Sequence, residues 1–300
     1  MIIIRYGEIG LKRKLRRKFE NLLINNIKNT LKNQGFKVKI STEWGRIYIH
    51  SSDESIARIS AGVFGVTSTS VAIETSTEIE DIKNKAVEIG ERLIGSGKSF
   101  AVRARRTGKH DFTSMDVQRI VGAELKKKTG SKVNLSAPDV KIYIEVRDNR
   151  SFIYTSFIRG FGGLPVGSQE RVLSIVNDGK SILSSWYALR RGCEIDLLIS
   201  GDYNEFREIL FPWAGYRDIE VIKSSGDLKK LLNDAFELDY RGVYCSASFE
   251  EINSLISDSL LRNRKMPVFF PLMPFNGGYI EEKIKIVRSY FKTKSRIGGT

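Results

Sequence analysis

The densest run of side chains able to do chemistry lies between Phe100 and Leu135, FAVRARRTGKHDFTSMDVQRIVGAELKKKTGSKVNL. Nine Lys/Arg stand against three Asp/Glu between Ala101 and Lys132. Such an excess, interrupted by Gly108 rather than by acids, fits a surface that holds a phosphate backbone. The plain alternative is a solvated basic face with no ligand. Phe100, Val102 and Ala104 alternate with Ala101, Arg103 and Arg105, so a half-buried strand here sends two arginines out from one face. Arg106, Lys109 and His110 then line a turn, Ser114 is placed to cap a helix, and Met115, Ile120, Val121 and Leu125 take up helical spacing with Arg119 and Lys126 to Lys128 riding on it. A second basic run, Lys12 to Lys18, sits at the start of a helical segment. Positive charge there opposes the helix dipole, so an anion bound nearby would relieve a local cost; a solvated patch explains the run equally well.

Other constellations are sparse. His50 and His110 fall in separate regions, which leaves no zinc cluster and no histidine-based triad. Gly179-Lys180-Ser181 resembles the end of a Walker A loop, but the first glycine of that motif would fall at Ser174, so the reading is discarded. Cys193 and Cys245 are too few for a disulfide framework, and both read as small core residues rather than nucleophiles; Cys245, ending an apolar strand, is the better nucleophile candidate. Glu250-Glu251 and Glu281-Glu282 read as solvated pairs.

Length and charge place these residues in context. Three hundred residues predict two or three domains. The net charge of +14 is uneven: residues 1 to 200 carry 34 Lys/Arg and 21 Asp/Glu, whereas 201 to 300 carry 15 and 14. A polyanionic partner therefore belongs to the first two thirds. No apolar run approaches the ~18 to 20 residues needed to span a bilayer, and Met1-Ile2-Ile3-Ile4 reads as a strand rather than a targeting segment, so a cytoplasmic location is expected.

The elements that must position these groups follow from periodicity. Ile2 to Tyr6 (strand), Arg13 to Asn33 (helix), Phe36 to Ile40 and Arg46 to His50 (strands), Glu54 to Ala61 (helix) and Val66 to Ile73 (strand) give the split βαβ order of a ferredoxin-like domain. Thr77 to Ile94 (helix), the Phe100 strand, the Met115 helix, Val140 to Val146 and Ser151 to Ile158 (strands) form a second α+β unit. Gly160, Gly162, Gly163, Pro165 and Gly167 make a glycine-rich connector. Beyond it, strands at Val172 to Val176, Glu194 to Ile199, Ile219 to Ile222, Gly242 to Cys245 and Val268 to Leu272 alternate with helices at Gly179 to Arg191, Asn204 to Leu210, Leu228 to Phe236, Phe249 to Leu260 and Ile280 to Phe291. That alternation predicts an α/β doubly wound, mostly parallel sheet, whose ligands bind beyond the strand C-termini.

Several separate motifs fall in an order that resembles one family. Ile4-Arg5-Tyr6-Gly7-Glu8-Ile9 with Lys12 to Phe19, Arg103-Ala104-Arg105-Arg106 with Gly108-Lys109-His110-Asp111-Phe112, Asp116-Val117, Gly122, and Gly162-Gly163-Leu164-Pro165-Val166-Gly167 are similar to the tRNA 4-thiouridine synthetases, also known as thiamine-biosynthesis sulfurtransferases. The similarity runs through most of residues 2 to 192 and ends in Arg190-Arg191-Gly192-Cys193. It implies a ferredoxin-like domain over 1 to 75, a THUMP domain over 76 to 165 that binds the acceptor end of tRNA, and a PP-loop ATP pyrophosphatase domain over 166 to 300. The family adenylates a tRNA uridine with ATP and magnesium and replaces the oxygen with persulfide sulfur. The RNA-binding residues implied are Lys12, Arg13, Arg16, Arg17, Arg103, Arg105, Arg106, Lys109, His110, Arg119, Lys126 and Lys127. His110 reads equally well as a structural residue tying down its turn.

The third domain departs from the family pattern. Where a PP-loop has Ser-Gly-Gly-x-Asp-Ser, this chain has Val176-Asn177-Asp178-Gly179-Lys180-Ser181. Asp178 replaces the first glycine, and Lys180 falls where the essential aspartate belongs. An aspartate there fills phosphate space and repels the anion. The Cys-x-x-Cys-Lys-Arg-like segment has no counterpart between Gly201 and Arg241, Thr-Gly-Glu-Ser has become Cys245-Ser246-Ala247-Ser248, and the domain reads as shortened. If nucleotide binding persists, Ile175, Val176, Asn177, Gly179, Ser181 and Ser246 carry it. The expectation is a tRNA-binding homologue that presents tRNA to a separate sulfurtransferase or persulfide donor, with homodimerisation implied only by resemblance. An active sulfurtransferase with a rearranged loop is the alternative. An S-adenosylmethionine methyltransferase is a weak third reading, because no Gly-x-Gly follows the first strand.

Overall fold

Strand β1 (Ile2–Tyr6) is buried on both faces, with Ile2, Ile3 and Ile4 fully inaccessible, and the amino-terminal half of the chain is layered around it. The computed structural model describes residues 1–11, 13–43, 45–95, 97–257 and 266–295. After β1 come α1 (Arg16–Asn33), β2 (Ile40–Glu43), β3 (Arg46–Ile49), α2 (Glu54–Ala61) and β4 (Val66–Val71). Next are β5 (Ile73–Thr75), α3 (Ile79–Ile94), β6 (Phe100–Arg106), α4 (Ser114–Thr129), β7 (Val140–Val146), β8 (Ser151–Tyr154) and β9 (Ile158–Arg159). The last part holds β10 (Val172–Val176), α5 (Ser181–Arg190), β11 (Ile195–Ile199), α6 (Glu205–Trp213), β12 (Val221–Lys223), α7 (Leu228–Phe236), β13 (Val243–Tyr244), α8 (Phe249–Ser257), β14 (Val268–Phe269) and α9 (Gly277–Ser289).

The first sheet runs β2-β3-β1-β4-β9 and is antiparallel. Ile2 and Ile4 point to one face, where α1 and α2 bury Leu23, Ile27, Ile56 and Ala57 against them. Ile3 and Tyr48 point to the other face and meet Phe152 and Tyr154 of a second sheet, β5-β8-β7-β6. The far face of that sheet, with Phe100, Val102, Ile142, Ile144 and Val146, is covered by α3 and α4. The result is helices, sheet, sheet, helices, with the polar alternates of β6 and β7 facing the first sheet. Two strands expected to be continuous instead change sheets. The run from Val66 to Ile73 breaks at Ala72, where β4 leaves the first sheet and β5 joins the second, and the run from Ser151 to Ile158 breaks so that β9 returns to pair with β4.

Other departures are local. The strand expected at Phe36 to Ile40 begins only at Ile40, with Phe36 and Val38 packing on the helix-side core from irregular backbone. Helix α1 starts at Arg16, not Arg13, since Arg13–Leu15 form a 3-10 turn ahead of it, and no side chain caps it. In α4 the cap is Thr113, not Ser114: its hydroxyl accepts the Asp116 N–H at 3.2 Å while Asp116 takes the Thr113 N–H at 2.9 Å. That register buries Val117, Val121 and Leu125 and leaves Met115 76% exposed, so Met115 does not belong to the core stripe. The helix expected from Phe249 to Leu260 is seen to Ser257; its last part lies outside the described residues.

The third sheet is parallel, in the order β12-β11-β10-β13-β14, with α5, α6 and α9 on one face and α7 and α8 on the other. It is docked on the helix side of the first domain through aromatic rings. Phe64 meets Trp186 at 5.1 Å and Trp213 at 5.5 Å, and Phe161 meets Tyr290 at 5.1 Å. The glycine-rich connector makes this docking close. Gly163 has φ +75°, and a Cβ there would overlap the Arg190 carbonyl oxygen, beside which Leu164 N–H donates to the same carbonyl at 3.0 Å. Gly163→Ala is expected to cost at least ~1–2 kcal/mol from the left-handed backbone alone, read as a lower urea midpoint with an unchanged slope.

Candidate functional site

Where the first two sheets splay apart, a cleft of about 410 Å³ opens, lined by Arg5, Arg46, Arg103, Arg105, Lys141, Tyr143, Glu145, Tyr154 and Phe157 among others. The lining follows from strand alternation. On β7 the residues Ile142, Ile144 and Val146 face the helices, so Lys141, Tyr143 and Glu145 must face the cleft; on β6, Arg103 and Arg105 do the same. Tyr143 stacks on Tyr154 at 5.3 Å and meets Phe157 edge-on at 4.7 Å. The Arg5 guanidinium lies 4.8 Å from the Tyr154 ring centre and 4.9 Å from that of Phe157.

At the floor, one carboxylate is shared by three guanidiniums. Glu145 lies 3.4 Å from Arg5, 2.9 Å from Arg46 and 2.9 Å from Arg147, and its side chain is only 6% exposed. Burial alone would raise its pKa, but the surrounding Arg46, Arg5 and Arg147 charges outweigh that and hold it below the ordinary value of 4.5. Burial also pulls the Arg46 guanidinium down; Glu145 opposes this, while Arg147 and Arg5 add to it. Two domains meet in the cluster, since Arg5 and Arg46 come from the first sheet and Glu145 and Arg147 from the second. Positive charge exceeds negative on this floor, and Arg103, Arg105 and Lys141 extend the excess up the walls. Low-dielectric walls with one dominant sign concentrate potential, and stacked rings beside guanidiniums suit unpaired nucleobases and their phosphates.

The sequence-predicted basic residues do not form one surface. Arg103 and Arg105 line the cleft, with Arg103 also donating to the Leu135 carbonyl. Arg106 donates instead to the Gly108 carbonyl at 2.6 Å within its own turn. His110 sits 3.3 Å from the Thr107 carbonyl and stacks on Phe112 at 5.5 Å, which fits its structural reading, and Lys109 is exposed beside it. Arg119, Lys126 and Lys127 ride exposed on α4, on the other side of the second sheet from the cleft, and Arg119 lies 3.4 Å from Asp116. Arg16 pairs with Glu20 at 2.9 Å and donates to the Tyr6 hydroxyl at 3.0 Å; Arg17 is exposed. Arg13 lies in the turn before α1, and Lys12 is outside the described residues. Missed from the sequence were Arg5, Arg46, Lys141, Tyr143, Tyr154 and Phe157. The alternation of Lys141, Tyr143 and Glu145 against a Val/Ile face was the available signal for three of the cleft residues.

A second candidate site lies at the C-terminal edge of the parallel sheet, where strand order reverses between β10 and β13. Ile175 and Val176 are buried in the strand, and the turn from Asn177 to Ser181 leads into α5. One oxygen of Asp178 accepts the Lys180 N–H at 2.9 Å, the Ser181 N–H at 2.8 Å, the Ser181 hydroxyl at 2.8 Å and the Ser246 hydroxyl at 2.9 Å. Asn177 and Asp178 N–H groups both donate to Ser181 Oγ at 3.3 Å. Gly179 is exposed. Neither cysteine is poised for chemistry: burial pushes the Cys193 thiol up to about 11 and the Cys245 thiol up to about 12. No helix among the described residues is long and apolar enough to cross a membrane.

Comparison with known proteins adds to this geometry. Residues 1–70 match the ThiI ferredoxin-like domain family and residues 76–156 the THUMP domain family. A probable tRNA sulfurtransferase of Saccharolobus solfataricus is 40% identical over 325 aligned positions, covering 96% of this chain and 85% of the relative. One from Methanosarcina mazei is 36% identical over 203 residues, covering 65% of this chain and 50% of its own length; the chain spans about half the length of several such relatives. Among solved structures, a Pyrococcus horikoshii protein aligns with TM-score 0.78 at 27% identity, covering 95% of this chain and 98% of the other. A 4-thiouridine synthetase in complex with RNA and ATP aligns with TM-score 0.74 at 24% identity, covering 96% and 85%, a likeness of fold.

The shared carboxylate makes a definite expectation. Glu145→Ala leaves three guanidiniums without their common partner and should cost about 3–5 kcal/mol at neutral pH. Because the folded-state pKa of Glu145 is depressed, its ionised form stabilises fully above the ordinary value of 4.5 and loses that effect as pH falls through the lower folded value. The stability gap between the native protein and Glu145→Gln, from urea titrations at several pH values, should therefore narrow in acid; a gap independent of pH would contradict this.

Proposed function

The chain belongs to the tRNA sulfurtransferase family, and from that premise we propose that it is a tRNA-binding protein serving tRNA thiolation, whose interdomain cleft receives the single-stranded acceptor end. The observation that carries the reading is the cleft itself: Arg103, Arg105 and Lys141 on one wall, Arg5 and Arg46 on the other, and the Tyr143, Tyr154 and Phe157 rings between them. Phosphates meet the guanidiniums and unstacked bases meet the rings, so recognition rests on RNA shape and on an unpaired end. The THUMP match over 76–156 and the RNA held by the 4-thiouridine synthetase of the same fold support it.

On this reading the chain holds tRNA while a separate sulfurtransferase supplies uridine adenylation, magnesium-bound ATP and persulfide sulfur. Support comes from the Asn177 to Ser181 turn, which has Asp178 in place of the first PP-loop glycine and Lys180 in place of its aspartate, and from two buried, high-pKa thiols. The sulfurtransferase relatives keep the opposite reading, an active enzyme, in the test.

Filter binding of tRNA against salt, run beside ATP–pyrophosphate exchange, separates the two. Binding that weakens steeply with salt, without exchange, is expected; tRNA-dependent exchange would establish the active enzyme, and absence of binding would overturn both. Arg103→Ala with Arg105→Ala should weaken tRNA binding by roughly 10–100-fold at low salt and flatten the log–log salt slope by about 1–2. Arg106→Ala, which loses only a turn contact, should change it far less.

A further inference from the structure

The edge of the parallel sheet, where the fold family places a nucleotide, does not fit one. A phosphate held at a strand–turn–helix junction needs free backbone N–H groups converging on open space. Here the converging donors are already taken. The Lys180 and Ser181 amides and the Ser181 and Ser246 hydroxyls all reach Asp178 Oδ1 within 2.8–2.9 Å, and the Asn177 and Asp178 amides are turned onto Ser181 Oγ. The donors come from both sides of the topological switch: the turn follows β10, whereas Ser246 follows β13, and its hydroxyl lies 3.0 Å from that of Ser181. Ser181 is fully inaccessible and Ser246 is 7% exposed, while Asp178 is half-buried and Lys180 exposed, so the serine side of the knot is anchored in the interior. It continues inward, since Ser185 Oγ donates to the Ser181 carbonyl at 2.9 Å and lies 2.7 Å from Ser174 Oγ on β10.

We infer that Asp178 is a built-in anion: its carboxylate occupies the donors a nucleotide phosphate would need and ties β10 to β13, so that the parallel-sheet domain folds without nucleotide. The inference deepens the proposed function and rests on it for its biological meaning, but it stands on separate residues. A side chain that supplies the anion in cis is present at full effective concentration, and a phosphate must displace it against both its hydrogen bonds and its charge. The same contacts act as an N-terminal cap for α5, which has no other side-chain cap.

The test uses the full chain and compares melting temperatures with and without magnesium-ATP or inorganic pyrophosphate. The unaltered protein should show no saturable rise with either probe at concentrations up to about 5 mM. Asp178→Ala should lower Tm by about 2–6 °C. Asp178→Asn, whose side-chain oxygen can accept the same donors, should recover most of the loss. Ser246→Ala removes one donor from the other strand and should lower Tm by a smaller amount, which keeps the test informative if Asp178→Ala does not fold. A saturable rise of the unaltered protein with magnesium-ATP would overturn the inference, as would an Asp178→Ala protein with an unchanged melting temperature. Binding of tRNA by the same samples is a separate readout, so loss of this inference leaves the cleft reading standing, and the reverse.

Discussion

One buried carboxylate organises the junction of the first two sheets. Glu145 faces Arg5 and Arg46 across the junction of two sheets and Arg147 just beyond the end of its own strand, and no one of these arginines is neutralised by it alone. Three guanidiniums sharing one acid are stable in the interior only if the geometry is fixed, because each displaced charge would face desolvation without a partner. The cluster thus joins the two sheets at the floor of the cleft. It also leaves a local surplus of positive charge that an arriving phosphate can share. Arg5, held by Glu145 and Ser70, is also the residue that reaches the Tyr154 and Phe157 rings of the cleft.

The two ends of the chain have separate physics. The amino-terminal layers present polar, basic side chains to a gap between sheets. The parallel-sheet domain turns its switch point inward on a serine–aspartate knot and attaches to the helix side of the first domain through Phe64, Phe161, Trp186, Trp213, Tyr290 and Phe291. That aromatic contact is continuous with the core of the parallel-sheet domain, so the third domain buttresses α1 and α2 from behind while the cleft opens on the opposite face of the first sheet.

The basic stretch from Arg103 to Lys127 was legible in the sequence as charge, and the strand alternation already sent Arg103 and Arg105 to one side. What composition could not say is that α4 lies across the sheet from them, because a run of charges carries no information about which layer each element joins. Arg5 and Arg46 were unreadable as cleft residues for a similar reason: each is a single polar residue in an apolar strand, and only the packing of one sheet on another gives them a common target. The strand breaks at Ala72 and after Tyr154 were hidden because extended backbone of β-forming residues continues through each change of sheet, and pairing partners are set by tertiary packing. In the third domain the motif showed an aspartate at position 178, whereas the Ser246 hydroxyl that reaches it could not be read, since Ser246 lies 68 residues away.

On the proposed reading, RNA enters between the two sheets. Chemical footprinting of arginine and lysine side chains, with and without bound tRNA, tests it most directly. Protection of Arg103, Arg105 and Lys141 on the cleft walls is the predicted result. Protection confined to Arg119, Lys126 and Lys127 on α4, with the cleft residues as reactive as in the free protein, would contradict it.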